Sequence, residues 1–188
     1  MGSRLVIESI GSEETLRRSA TTEDLRFVEQ FGSEGRRREV LAWRGVVRRE
    51  LGEDVTIFHD EYGAPKVDRH DRYISVSHSR GLVAVLFSDR DCAVDIESAE
   101  RDFRKVASRY LSDEEHRMAE QYGIFAEMWC AKEALYKYYK KGRLDLVEHI
   151  SIIEYDPNRG VLISSILGSA PIEVSVEREQ NLVIAVID

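Results

Sequence analysis

Glu133 and Lys137 stand four residues apart in the stretch Trp129-Cys130-Ala131-Lys132-Glu133-Ala134-Leu135-Tyr136-Lys137. The surrounding segment has no Gly or Pro, and Gly142 follows as a stop, so the pattern predicts a helix from about Ile124 to Lys140. On a helix that spacing sets an acid and a base one turn apart on one face, with Trp129 one turn earlier on the same side. Ile124, Met128, Ala131, Leu135 and Tyr138 form a separate apolar stripe roughly opposite Glu133. The plainer reading is a solvated helical ion pair, stabilising by only ~0.3–0.5 kcal/mol. Against it, the small residues Ala126, Cys130 and Ala134 share the charged side, as though something packs or docks there. Charges kept on a helix that is apolar nearly all round have a partner or a chemical role.

Two more acids, Asp95 and Glu97, alternate with Val94 and Ile96 in a segment that reads as a strand, so both point to one face. Neighbouring carboxylates repel and raise each other's pKa unless a cation lies between them. A hard divalent ion such as Mg²⁺ is the natural candidate, because it combines carboxylates with water and phosphate oxygens. Glu133 would be its third acid. The plainer reading is a strand edge carrying two solvated acids. Ser77-His78-Ser79, just before Gly81, offers hydroxyls, an imidazole and backbone N–H groups in a row, a donor set that suits a phosphate. No Walker loop, G-x-G-x-x-G, H-E-x-x-H or G-x-S-x-G accompanies these residues.

The elements that must position them follow in order. Leu5–Ile10 reads as a strand; Ser12 and Thr21 read as helix starts. An arginine-rich helix is expected from Arg36 to Leu51, stopped by Gly52 and buried through Val40, Leu41, Trp43, Val47 and Leu51. Val55–Phe58, Arg72–Ser77, Leu82–Phe87 and Cys92–Glu97 read as strands, the last three as one antiparallel meander. Helices Phe103–Tyr110, Ser112–Tyr122 and the Glu133 helix come next, then strands His149–Tyr155, Val161–Ile166, Ile172–Glu177 and Leu182–Ile187. Val40–Arg44 can be laid over Met128–Lys132, and Leu82–Leu86 over Leu182–Val186. The fold class expected is therefore α+β, with two similar α+β halves at 1–98 and 99–188 forming one unit.

Composition narrows the function. The 188 residues are 43% apolar and 33% charged, with 27 basic against 35 acidic side chains and a net charge of −8. That balance argues against wholesale nucleic-acid binding. No run approaches the ~20 apolar residues of a membrane span, and the first residues do not read as a signal peptide. Cys92 and Cys130 offer neither a disulfide framework nor a zinc quartet, which fits a reducing cytoplasm. Between Arg36 and Arg49, however, six arginines face the single acid Glu39, a concentration that suits a local anionic ligand as readily as an exposed helix face.

Gly63-Ala64-Pro65, Ser77-His78-Ser79, Val94-Asp95-Ile96-Glu97 and Trp129–Lys137, in this order, resemble the 4'-phosphopantetheinyl transferases. That family carries G-x-P, S-H-S, G-(I/V)-D-(I/V)-E and W-(S/C/T)-x-K-E-(A/S)-x-x-K. The chain looks like the larger, monomeric, surfactin-synthetase-activating type, whose two similar halves form a pseudo-dimer. The resemblance implies transfer of the phosphopantetheine arm of coenzyme A to a serine of an acyl or peptidyl carrier protein, with adenosine 3',5'-bisphosphate as the other product. By the same resemblance Asp95, Glu97 and Glu133 would hold Mg²⁺, and Glu133 would take the serine proton. Lys137 would contact the pyrophosphate of coenzyme A with Lys132 beside it, and Ser77 and His78 would hold a phosphate of that ligand. Arg38 or Arg44 would meet its 3'-phosphate, and Glu115 sits where a second active-site acid often stands. Two positions depart from the pattern: Ala93 replaces the Gly before the Asp95 strand, and Ala64 replaces a lysine for which Lys66, two positions on, would substitute. Two other readings stand beside this one, a non-catalytic module that binds coenzyme A or a nucleotide and a plain α+β interaction domain.

Overall fold

The computed structural model describes residues 2–69 and 71–188. The chain divides into two compact units, Met1–Arg90 and Asp91–Asp188. The first contains β1 (Arg4–Ser9), α1 (Glu13–Ser19), α2 (Thr22–Val28), α3 (Glu34–Leu51), β2 (Ile57–His59), β3 (Pro65–Val67), β4 (Tyr73–Ser79) and β5 (Leu82–Ser88). Its three-stranded antiparallel sheet has the order β1-β5-β4, and β2 and β3 pair as a separate ribbon. The arginine-rich helix α3 starts at Ser33, whose hydroxyl accepts from Arg36 N, and stops at Gly52, where φ is 108°. Its Val40, Leu41, Trp43, Val46 and Val47 share a core with Ile74 of β4 and with Val83, Val85 and Phe87 of β5. Between β4 and β5, Arg80 and Gly81 both have positive φ (44° and 79°), the signature of a two-residue turn whose twist matches the strands.

The second unit contains β6 (Ala93–Ser98), a 3₁₀ helix (Phe103–Arg109), α4 (Asp113–Tyr122), α5 (Phe125–Tyr139), β7 (Ile150–Asp156), β8 (Val161–Ile166), β9 (Ile172–Glu179) and β10 (Leu182–Ile187). Its five-stranded antiparallel sheet runs β6-β10-β9-β8-β7. The mixed α and β composition and the antiparallel sheets agree with the expected class. The expected meander does not form: β6 pairs with β10, Asp95 opposite Ala185 and Glu97 opposite Val183. The reason is edge availability. β5 has β4 on one edge and β1, along its whole length, on the other. The apolar run of β10 has β9 on one edge only, and β6 takes the other. The division therefore falls at Arg90/Asp91 rather than after residue 98. With β6 moved, each unit reads as one strand, three helical segments and four strands.

Each unit also contains the same kind of polar lock. In the first, Thr21 and Asp24 form a capping box at the start of α2, and Asp24 is at the same time bound by Arg44 and Arg48 of α3. Burial alone would raise the Asp24 carboxyl, yet Arg48, Arg44 and Thr21 hold it at about 2. In the second, Ser112 and Glu115 form the capping box of α4, and Glu115 Oε2 accepts from Lys132 Nζ of α5 at 2.8 Å. Lys132 donates twice more, to Leu146 O at 2.7 Å and Ile150 O at 2.8 Å, while Glu115 Oε1 accepts from Ile152 N of β7 at 2.7 Å. Two helices and the edge strand β7 thus share one ion pair. Among the described residues no helix is long and apolar enough to cross a membrane.

Lys132→Met leaves the Glu115 carboxylate buried without its cation and should cost about 3–5 kcal/mol of stability in urea unfolding. A double-mutant cycle with Glu115→Gln should return a coupling well above the ~1 kcal/mol ceiling of a surface pair. A coupling at or below that ceiling would show that the pair is incidental.

Candidate active site

α5 is buried on nearly all sides. Met128, Ala131 and Leu135 are buried, and so are the small residues Ala126, Cys130 and Ala134. It packs on β6 and β10, and also meets the 3₁₀ helix and α4. The helix ends at Tyr139, with Lys140 in the left-handed conformation (φ 51°) as its cap, so the stop comes before Gly142. Glu133 and Lys137 lie on the side toward β6. Lys137 Nζ donates to Asp95 Oδ1 at 2.8 Å and to the carbonyl of Val94 at 3.0 Å. At Glu97, Oε1 accepts from Arg101 Nη1 at 2.9 Å. The Arg101 guanidinium lies 4.8 Å from the ring centre of Phe103 and 5.5 Å from that of Trp129, and these two rings are themselves stacked. Trp129, Glu133 and Lys137, one turn apart on α5, thus face Arg101, Glu97 and Asp95.

The electrostatics link these groups. Burial pushes the Glu133 carboxyl up, and the Asp95 charge pushes it further; Lys137 pulls it down, Glu97 adds to the rise and Arg101 opposes it. Burial, followed by the nearby Asp95, also drives the Cys130 thiol well above its usual range, and its Sγ points to the carbonyl of Val183 at 3.7 Å. Asp95, Glu97 and Glu133 are a donor set of hard oxygens, and the repulsion that the first two exert at Glu133 is what a divalent cation would relieve. Among the described residues, no three ligand-type side chains converge closely enough to grip an ion as they are placed. Asp95 and Glu97 instead turn toward Lys137 and Arg101.

Other expected site residues have different surroundings. Lys132, expected beside the pyrophosphate, is fully buried, with its three N–H donors on Glu115, Leu146 and Ile150. Position 132 lies about 100° around the helix from position 133, which turns it to α4 and β7. Glu115, expected as an active-site acid, is its partner. Arg44, expected near a 3'-phosphate, is also buried: it binds Glu23 and Asp24 and its guanidinium lies 4.7 Å from the ring centre of Phe27. Arg38 is bent over the loop before α1, donating to Gly11 O at 2.9 Å and Ile10 O at 3.3 Å.

Ser77 and His78 part company because β4 runs on to Ser79 instead of stopping at Ser77. Adjacent strand residues point to opposite faces, so Ser77 is buried while His78 is exposed. His78 meets two residues of the arginine-rich run on α3 that the family resemblance did not assign to the site. Arg36 Nη1 donates to His78 Nε2 at 3.0 Å, since a guanidinium cannot accept, and His78 Nδ1 faces Glu39 Oε1 at 3.4 Å. Arg101 was missed as well. Its spacing of four from Glu97 was the available signal, but the segment between them is not helical, so the contact depends on the turn after β6.

The charge arrangement makes a directional prediction. Asp95→Asn should lower the Glu133 pKa and Lys137→Ala should raise it, both read from the ¹³C titration of the Glu133 carboxyl. An unmoved titration in both variants would mean that these groups do not share a field.

Comparison with known proteins then bears on the same residues. The family model for the 4'-phosphopantetheinyl transferase superfamily matches residues 91–187, just over half of the chain. A search of curated proteins finds no match. The matched stretch opens just before β6 and closes at the end of β10, and it contains Asp95, Glu97, Glu133 and Lys137. A model that covers the second unit from first strand to last, including both elements that bear the facing charges, places this chain in the 4'-phosphopantetheinyl transferase superfamily.

Proposed function

We propose that the protein transfers the 4'-phosphopantetheine arm of coenzyme A to a serine hydroxyl of an acyl or peptidyl carrier protein. The observation that carries this reading is the opposition of Glu133 and Lys137 on α5 to Asp95 and Glu97 on β6, inside the stretch that matches the superfamily. The repeated order of one strand, three helical segments and four strands supports the larger two-half, surfactin-synthetase-activating type; a monomeric, cytoplasmic enzyme is part of the same proposal.

In this reading the serine oxygen forms a bond to the β-phosphorus of coenzyme A as the bond to the bridging oxygen breaks. The pantetheine-bearing phosphoryl group passes to the serine, and adenosine 3',5'-bisphosphate leaves. Glu133 receives the serine proton. Burial and the Asp95 charge raise its pKa in the metal-free chain, and a bound cation would relieve that rise and favour the ionised, proton-accepting form. Lys137 supplies fixed positive charge to the pyrophosphate oxygens. Asp95, Glu97 and Glu133 would hold Mg²⁺, which when bound neutralises charge on those same oxygens. His78, with Arg36 beside it, is a candidate phosphate contact of the first unit. Arg38, Arg44 and Lys132 serve the fold through the contacts described above, and Ser77 is buried on its strand.

Incubating an apo carrier protein with coenzyme A and Mg²⁺ should raise its mass by one phosphopantetheine, with Glu133→Gln slower by about a hundredfold or more. Because the base must be ionised, the rate should fall on the acid side, and that limb should vanish in Glu133→Gln. Stabilisation by coenzyme A in a thermal melt without any mass gain by the carrier would favour a silent binder and overturn the assignment.

A further inference from the structure

The three carboxylates already have two internal cations at their margins. Lys137 Nζ is 2.8 Å from Asp95 Oδ1, and Arg101 Nη1 is 2.9 Å from Glu97 Oε1. Arg101 differs from an ordinary surface arginine. Its guanidinium rests on the stacked Phe103 and Trp129 rings, which limits the positions it can take and points its fork at Glu97. Phe103 is buried, so one side of this platform is fixed by the core. The side chain of Arg101 is nevertheless half exposed, so its ion pair with Glu97 is open to solvent.

We infer that Arg101 is a positioning residue that, together with Lys137, occupies the β6 carboxylates as a built-in counter-cation and sets the affinity of the site for a divalent ion. The inference rests on the proposed function and adds a regulation of that site. An ion reaching Asp95 and Glu97 must exchange with two side-chain cations, and each of them also repels it. An anionic pyrophosphate offers those same cations another partner, so ligand and ion assist each other's entry. Binding of the ion alone is weak, and binding in the presence of the anion is strong. This is a coupling between two ligands, carried by two side chains that change partner.

The test uses Mn²⁺ as the probe, with its free concentration followed by electron paramagnetic resonance on the full chain without coenzyme A. Arg101→Gln should tighten Mn²⁺ binding by about threefold or more, the scale expected on losing one exposed ion pair and its repulsion. Lys137→Met should tighten it in the same direction, and Asp95→Asn should weaken it. Arg104→Gln removes an equal charge from a guanidinium that pairs with Glu120 and should leave the affinity unchanged. Adding coenzyme A, with the Mn²⁺ it binds in free solution subtracted, should tighten Mn²⁺ binding more for the parent chain than for Arg101→Gln. An Arg101→Gln affinity equal to or weaker than the parent's overturns the inference. If the parent still modifies a carrier serine, the proposed function survives that result. If no carrier is modified and Asp95→Asn binds Mn²⁺ as the parent does, both fail.

Discussion

A buried ammonium is tolerated only where each of its protons has an acceptor, and Lys132 meets that condition with a carboxylate and two carbonyls. The position of α5 in the second unit depends on this arrangement. Through Glu115 the bond reaches the capping box of α4, and through Ile152 it reaches the edge strand β7. Replacing the network with apolar groups could give comparable stability, but it would not fix the rotation of α5 about its axis as a directional set of bonds does. That rotation decides which side chains face β6. Lys132 turned inward to α4 and β7 is what leaves Glu133 and Lys137 turned toward Asp95.

Two neighbouring residues on one helix therefore do opposite kinds of work. Lys132 has its charge satisfied inside the protein, and burial lowers its pKa while Glu115 opposes the shift. Glu133 is left in a field where two acids push against it and two bases pull back. The first unit repeats the lock with Asp24 and the arginines of α3, although its base is a guanidinium laid on Phe27 rather than an ammonium. Aromatic faces suit a planar cation, and that difference lets Arg44 be buried where a lysine would need further acceptors.

Much of this was legible in the sequence because it rests on local chemistry. The strands Val161–Ile166 and Leu182–Ile187 have the bounds their apolar runs suggested, and Ser12, Thr21 and Ser112 cap helices as their types required. The shared face of Asp95 and Glu97 follows from the two-residue period of a strand, and that of Glu133 and Lys137 from the helical turn. What the sequence could not supply were facts about partners. Nothing in Cys92–Glu97 says that β5 has both edges occupied, so β6 was assigned to the wrong sheet. Arg44 and Lys132 look like any helical bases until the capping-box acids of other helices are seen against them. The length of β4 hinged on Arg80 and Gly81, whose turn lets the strand run on to Ser79, so that alternation sets Ser77 and His78 on opposite faces.

Cys130 sits at the layer where α5 meets β10, its thiol deep in the protein and strongly held in the protonated form. Thiolate, rather than thiol, is the reactive species toward alkylating and oxidising reagents. This sulfur is therefore silent while helix and sheet stay closed, and it becomes available only in the moments when they separate. The rate at which it accepts a label is a clock for the opening of the packing that holds the carboxylates in register, and it can be read without ligand, metal or carrier.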